Sequence, residues 1–227
     1  MAPAVRFRDA VALAGRFPLL AGVTLDIGEG EIVHLRGPNG AGKSSLLRLC
    51  CGLLAVRSGE AVVLGHDLTV DRRSVRRQVG LLGHSTFLYE ELSVEENLRF
   101  ALAATGGSKQ DAGPAMERLG LVGRLPGTPV EKLSAGQRRR AALAVLVGRQ
   151  PALWLLDEPH AGLDPEGRQL VDEIVSEARR AGATVVLASH EHAQAEAISD
   201  RTVHIAGGRI VLGLAVADDT AEVSHAS

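Results

Sequence analysis

Gly37-Pro38-Asn39-Gly40-Ala41-Gly42-Lys43-Ser44 spaces its glycines, a lysine and a hydroxyl as a phosphate-binding loop does. Glycine admits the backbone angles that let successive N–H groups curl around an anion. Working outward, residues 31–36 (Glu-Ile-Val-His-Leu-Arg) predict a strand entering the loop, and residues 43–51 a helix leaving it. A helix N-terminus favours an anion by about 0.3–1 kcal/mol when exposed and by more when partly buried. Lys43 is placed to reach β- and γ-phosphates and Ser44 to ligate Mg²⁺. The run from Gly37 through Ser45 is therefore the candidate nucleotide-binding segment, with a nucleoside triphosphate and Mg²⁺ as its ligands.

Composition narrows the class further. The chain has 227 residues, 45% of them hydrophobic, enough for a substantial core in one large or two small domains. A net charge of −2 gives no general attraction to nucleic acid or anionic lipid, so no nucleic-acid partner is expected. Cys50 and Cys51 are adjacent, without metal-ligand spacing, and read as small apolar residues suited to a reducing compartment, the cytoplasm. No apolar run approaches the length of about 20 residues that spans a bilayer, so membrane association would come through a partner.

Short strand patterns at 4–7, 23–27 and 61–64 predict an antiparallel layer beside the entry strand. Another strand at 79–82 precedes a polar, helical stretch. Ser93-Val94-Glu95-Glu96 is a capping box opening a helix to about Ala104, which Gly106-Gly107-Ser108 ends. A short helix is expected within 113–127 and a long one from Ser134 to about Arg149. The unbroken apolar runs 153–156 and 184–188 fit strands buried on both faces of a parallel sheet. Asp164-Pro165 starts a helix that Gly182 closes. Strands at 201–205 and 209–212 flank the turn Gly207-Gly208, and 214–227 read as a loose tail.

Asp157-Glu158-Pro159 ends the run at 153–156, placing two carboxylates on the sheet edge where α/β proteins bind ligands. Asp157 suits the Mg²⁺ shell and Glu158 the polarisation of an attacking water. Ser189-His190 ends the next run, where the imidazole can meet a γ-phosphate. Leu133-Ser134-Ala135-Gly136-Gln137 opens a helix with a hydroxyl, a glycine and bare N–H groups, a second anion site as well as a cap. Arg138, Arg139 and Arg140 read mostly as a solvated face.

These elements, in this order over residues 4–213, resemble the ATP-binding cassette (ABC) ATPases. The resemblance rests on the loop 37–44, the signature 133–137, the strand end 155–159, Ala161-Gly162-Leu163-Asp164, and His190. It implies an α/β P-loop NTPase of the ABC type: a mixed, largely parallel core sheet with an antiparallel β layer (about 1–84 and 146–213) and a helical subdomain (about 85–145). It also implies a head-to-tail homodimer in which ATP on one subunit's loop is covered by Ser134, Gly136 and Gln137 of the other. Glu158 would then be general base, His190 the γ-phosphate switch, Lys43 a catalytic cation and Asp164 a link across the interface. Two positions depart from the family pattern. His84 stands where a Gln usually senses Mg²⁺ and the membrane partner, and Ala14 where an adenine-stacking aromatic usually stands, with Phe17 the nearby aromatic. Gly83-His84, the stretch 92–100, the Ala in the signature and residues 153–159 are similar to the haem-exporter ATPases of cytochrome c maturation. That likeness implies a peripheral subunit on the cytoplasmic membrane face, docking an integral permease through 84–100. Exporters of drugs, lipids or polysaccharides are the alternative, and a soluble ABC protein acting on DNA or the ribosome, or a non-hydrolysing regulatory module, lies further off.

Overall fold

A sheet with five parallel strands brings the loop and the acidic pair to one edge. The computed structural model describes residues 3–211, so the expected tail and Leu212 lie outside the described residues. β1 (Val5–Ala14), β2 (Phe17–Ile27), β4 (Val56–Val63) and β5 (His66–Asp67) form an antiparallel sheet in the order β2-β1-β4-β5. A second sheet runs β10-β9-β3-β8-β7-β6. It comprises β3 (Ile32–Arg36), β6 (Val79–Leu82), β7 (Leu153–Asp157), β8 (Thr184–Ala188), β9 (Arg201–Ala206) and β10 (Arg209–Val211). All its pairings are parallel except that of β9 with β10.

Strand alternation divides the interior into two cores. Side chains of a strand point to opposite faces with a period of two. Val33, Leu35, Leu153, Leu155, Val186 and Ala188 accordingly pack with α1 (Lys43–Cys50) and the antiparallel sheet. The intervening Ile32, Trp154, Leu156, Val185 and Leu187 pack with α2 (Val94–Thr105), α3 (Ala112–Arg118), α4 (Ala135–Arg149) and α5 (Pro165–Arg180). A fully buried Leu in either core contributes about 1.5–3 kcal/mol of transfer free energy. Cys50 and Cys51 are buried, and desolvation pushes the Cys51 thiol up to about 12, so both act as apolar filling.

The antiparallel strands β1, β2 and β4 are longer than the sequence pattern predicts, because register shifts near Arg8 and Ala10 interrupt the alternation. The helix expected within 113–127 is only Ala112–Arg118, since Gly120 and Gly123 take left-handed φ values of 66° and 67°. Helix α6 (His192–Ile198) was not anticipated. It is short, and only Ala195 is buried, so it carries no apolar stripe to recognise.

Candidate functional site

The register brings the strand ends together: Leu35 and Asp157 both pair with Ala188, and Leu82 pairs with Leu156. The loop after β3, Gly83-His84 after β6, Glu158 after β7 and Ser189-His190 after β8 therefore share one edge. Between them lies a cleft of about 550 Å³, lined by Asn39–Ser45, His84, Asp157, Glu158, His190 and the turn Gly207-Gly208.

The loop has the conformation its glycines predict. Gly42 caps α1 at φ 112° with no side-chain hydrogen bond, and no acidic residue lies in the first turn, so the helix's leading N–H groups face the cleft uncapped. A Cβ at Gly37 would lie 2.1 Å from the Ile205 carbonyl oxygen of β9, so the close approach of loop and strand requires glycine there. Lys43 folds back over the loop, its Nζ donating to the Gly37 and Pro38 carbonyls at 2.6 and 3.2 Å. Gly37 and Pro38 thus stand behind the cleft rather than in its wall.

Glu158 is the strained residue of the site. Its φ is 50°, a left-handed conformation uncommon outside glycine, asparagine and aspartate. Its Oε2 accepts the His190 backbone N–H at 3.2 Å, and its Oε1, 3.5 Å from His190 Nε2, is buried without a hydrogen-bond partner. An orphaned carboxylate oxygen in a cleft also lined by Ser44 and Asp157 suits a polarised water or a hydrated cation. Behind His190, the buried His34 donates from Nε2 to the Ser189 carbonyl at 3.3 Å, and burial lowers its pKa.

Ser134, Gly136, Gln137 and Asp164 do not enter this cleft. They gather in a separate hollow of about 330 Å³ with Arg140, Gly162 and Leu163. Ser134 caps α4 in a capping box with Gln137, its Oγ accepting the Gln137 N–H at 3.2 Å while Gln137 Oε1 accepts the Ser134 N–H at 3.0 Å. The hydroxyl proton is left to donate elsewhere. Asp164 caps α5 and pairs with Arg140 at 3.1 Å. Phe17 is exposed, paired with Ala14 at the end of the β1–β2 hairpin, next to Pro18 and Leu19 in the cleft wall.

The arginine run is not a solvated face, which corrects the sequence reading. Arg138 donates to the Glu131 carbonyl at 2.7 Å, and Arg139 is only 6% exposed, beneath the acidic pair. Consecutive helical residues point about 100° apart, so three cannot share one side of α4, and that signal was present in the sequence. The buried His160, whose Nε2 lies 2.8 Å from Asp172 Oδ1, also went unrecognised; Gln194 of α6 donates to the same carboxylate at 2.6 Å. No local spacing announces that contact.

Residues 20–161, more than half of the chain, match the family model described as ABC transporter. The chain belongs to the ABC transporter family. The ABC fold is shared with a solved dimeric ATP-binding cassette, described as a post-hydrolysis state bound to ADP and Pi, at a TM-score of 0.80 and 25% identity, covering 91% of this chain and 96% of that one. Among curated ABC relatives, the cytochrome c biogenesis ATP-binding export protein CcmA of Aromatoleum aromaticum is 38% identical over 194 residues, covering 84% of this chain and 90% of the relative. The glutamine transport ATP-binding protein GlnQ of Escherichia coli is 34% identical over 214 residues, covering 91% and 89%. The chain is thus an ABC-type ATPase, the ATP-hydrolysing subunit of a transporter. None of its described helices is long and apolar enough to cross a membrane.

Proposed function

We propose that this ATPase drives export of the haem-exporter type by closing as a head-to-tail dimer over two ATP molecules and reopening after hydrolysis. The observation that supports it most is the meeting of Lys43, Ser44, Asp157, Glu158 and His190 at one cleft, with Glu158 Oε1 buried and unpartnered. Residues 37–45 hold the triphosphate, and Lys43 turns from the loop carbonyls to the β- and γ-phosphates. Ser44 and Asp157, with His84 beside them, would hold Mg²⁺, whose remaining ligands come from phosphate and water. Bound there, Mg²⁺ neutralises charge that develops on the phosphates. Glu158 takes the proton of the attacking water, and His190 contacts the γ-phosphate.

The second hollow makes sense as the other half of a composite site. Ser134, Gly136 and Gln137 of one subunit cover the nucleotide on its partner, Asp164 lies at the seam, and the two-fold pairing creates two equal sites. About two charge-assisted hydrogen bonds at each site supply about 6–12 kcal/mol over the two sites together. Association costs about 4–15 kcal/mol, so loss of the γ-phosphate suffices to open the dimer. Ser134→Ala is expected to cost about 0.5–2 kcal/mol of stability as a lost helix cap. It should also abolish ATP-driven dimerisation in light scattering while leaving ATP binding by the monomer. Dimers forming as readily as in the wild type would reduce Ser134 to a cap.

The helical subdomain, about 85–145, presents the surface for the permease. An apolar groove of about 390 Å³ is lined by Leu53, Phe87, Leu88, Tyr89 and Phe100, with Tyr89 and Phe100 edge to face at 5.2 Å and both half exposed. A cytoplasmic helix of the membrane subunit lies in this groove along residues 84–100, holding the ATPase at the cytoplasmic face. Replacing Tyr89 and Glu90 by alanine is expected to abolish transport and leave nucleotide affinity unchanged. Transport at wild-type rate would remove the docking site from this surface. The likeness to the CcmA export protein supports haem-type cargo, and the comparable likeness to GlnQ sustains a second reading in which the same ATPase serves another cargo. Identifying the integral membrane protein that copurifies with the chain decides between them.

A further inference from the structure

The guanidinium of Arg139 makes an unusual set of contacts. It donates to the carbonyls of Gly83 and Asp157 at 2.7 Å each and to that of Glu158, and its Nε lies 3.5 Å from the Pro159 carbonyl. Three of those acceptors are consecutive and bracket Glu158, the residue held at φ 50°. The fourth belongs to the residue before His84. Burial lowers the pKa of this guanidinium while Asp157 and Glu158 raise it, and an arginine stays charged throughout.

A left-handed conformation at such a residue costs about 1–3 kcal/mol and persists only where the surroundings over-determine it. Three constraints are visible, one of them the Ala161 N–H, which donates to the Glu158 carbonyl at 3.1 Å and closes the turn. The Glu158 N–H donates to the Ala188 carbonyl at 2.8 Å, which continues the sheet. The Arg139 fork then fixes the direction of the carbonyls on either side of the turn. A planar, multiply donating cation suits this task, since one rigid group meets several acceptors at once. Because Arg139 sits on α4, the helix that Ser134 caps, the same side chain joins the hollow at one end of α4 to the ends of β6 and β7.

We propose that Arg139 is a positioning residue for hydrolysis, a clamp that holds Glu158 in its left-handed turn, aims its carboxylate into the cleft, and ties the His84 loop to α4. The proposal rests on the reading of Glu158 as general base. A purely structural Arg139 would satisfy the same buried carbonyls without affecting the chemical step selectively, and the two roles separate experimentally.

Turnover, ATP affinity and thermal stability are measured for Arg139→Gln and Arg139→Lys, each in the wild-type and in the Glu158→Gln background. With the carboxylate misaimed, kcat of Arg139→Gln is expected to fall about 100-fold, the scale of an ångström-sized misplacement, with ATP affinity retained. Arg139→Lys keeps the charge but not the fork and should recover part of the loss; it also serves if the Gln variant fails to fold. In the Glu158→Gln background neither substitution should lower residual turnover further, because residues acting as a unit are not additive. Equal losses in both backgrounds, or a fall in affinity at unchanged kcat, overturn the clamp. Undiminished turnover of Arg139→Gln beside an inactive Glu158→Gln overturns it alone, whereas an active Glu158→Gln removes the base assignment on which it rests.

Discussion

Glu158→Gln is expected to lower ATP turnover by about 100- to 10,000-fold, the range that a positioned general base contributes, while ATP still binds. The substitution is close to isosteric, and the amide oxygen can accept the His190 N–H as Glu158 Oε2 does at 3.2 Å. The left-handed turn at φ 50° is as accessible to Gln as to Glu, so the backbone contacts survive. Only the proton-accepting capacity of the buried, unpartnered Oε1 is lost. Phosphate release gives kcat, equilibrium binding gives affinity, and light scattering gives the oligomeric state. With ATP and Mg²⁺ the variant should accumulate as a dimer, since closure is retained and cleavage, which opens it, is not. Turnover within a few-fold of wild type would exclude Glu158 as the base and leave His190 or a phosphate oxygen in that role.

The features that could be read from the sequence are those in which backbone chemistry dictates residue type. The loop 37–44 needs its glycines for left-handed turns and because a Cβ at Gly37 would lie 2.1 Å from the Ile205 carbonyl oxygen. The caps at Ser93, Ser134 and Asp164 advertise helix starts through hydroxyl or carboxylate placement. The runs 153–156 and 185–188 are apolar throughout because alternate side chains feed two different cores. Features that depend on distant contacts were not legible. The helical period says that three consecutive arginines cannot share one face, but that Arg139 is the one turned inward emerges only when α4 is laid across β6 and β7. His160 is buried against Asp172 only because α5 returns over the turn after β7. The long β1–β2 hairpin is obscured by register shifts that break a period-two pattern. The residues of the cleft and of the Ser134 hollow each carry a local signature, but their proposed juxtaposition involves a second copy and so leaves no mark on the fold of one chain.

Lys43→Ala separates the phosphate cradle from a merely structural turn. Lys43 is 8% exposed and its ammonium donates within the described residues only to the Gly37 and Pro38 carbonyls, and these belong to a half-buried and an exposed loop residue that water can reach once the side chain is gone. The melting temperature without nucleotide should therefore change little. Binding should change greatly, because a charge-assisted hydrogen bond contributes about 1.5–3 kcal/mol and about 1.4 kcal/mol is tenfold in affinity. Loss of two such bonds to the β- and γ-phosphates is expected to weaken ATP by about 100-fold or more. Linkage makes this visible without an activity assay: at ATP concentrations about 100 times the dissociation constant, the wild type gains about 2.7 kcal/mol and melts higher, whereas the variant gains almost nothing. ADP should discriminate less between the two proteins, since it offers Lys43 no γ-phosphate. An ATP-induced melting shift in Lys43→Ala equal to that of the wild type would show that the ammonium does not reach the nucleotide, and the loop would then be a glycine turn built for its contact with Ile205.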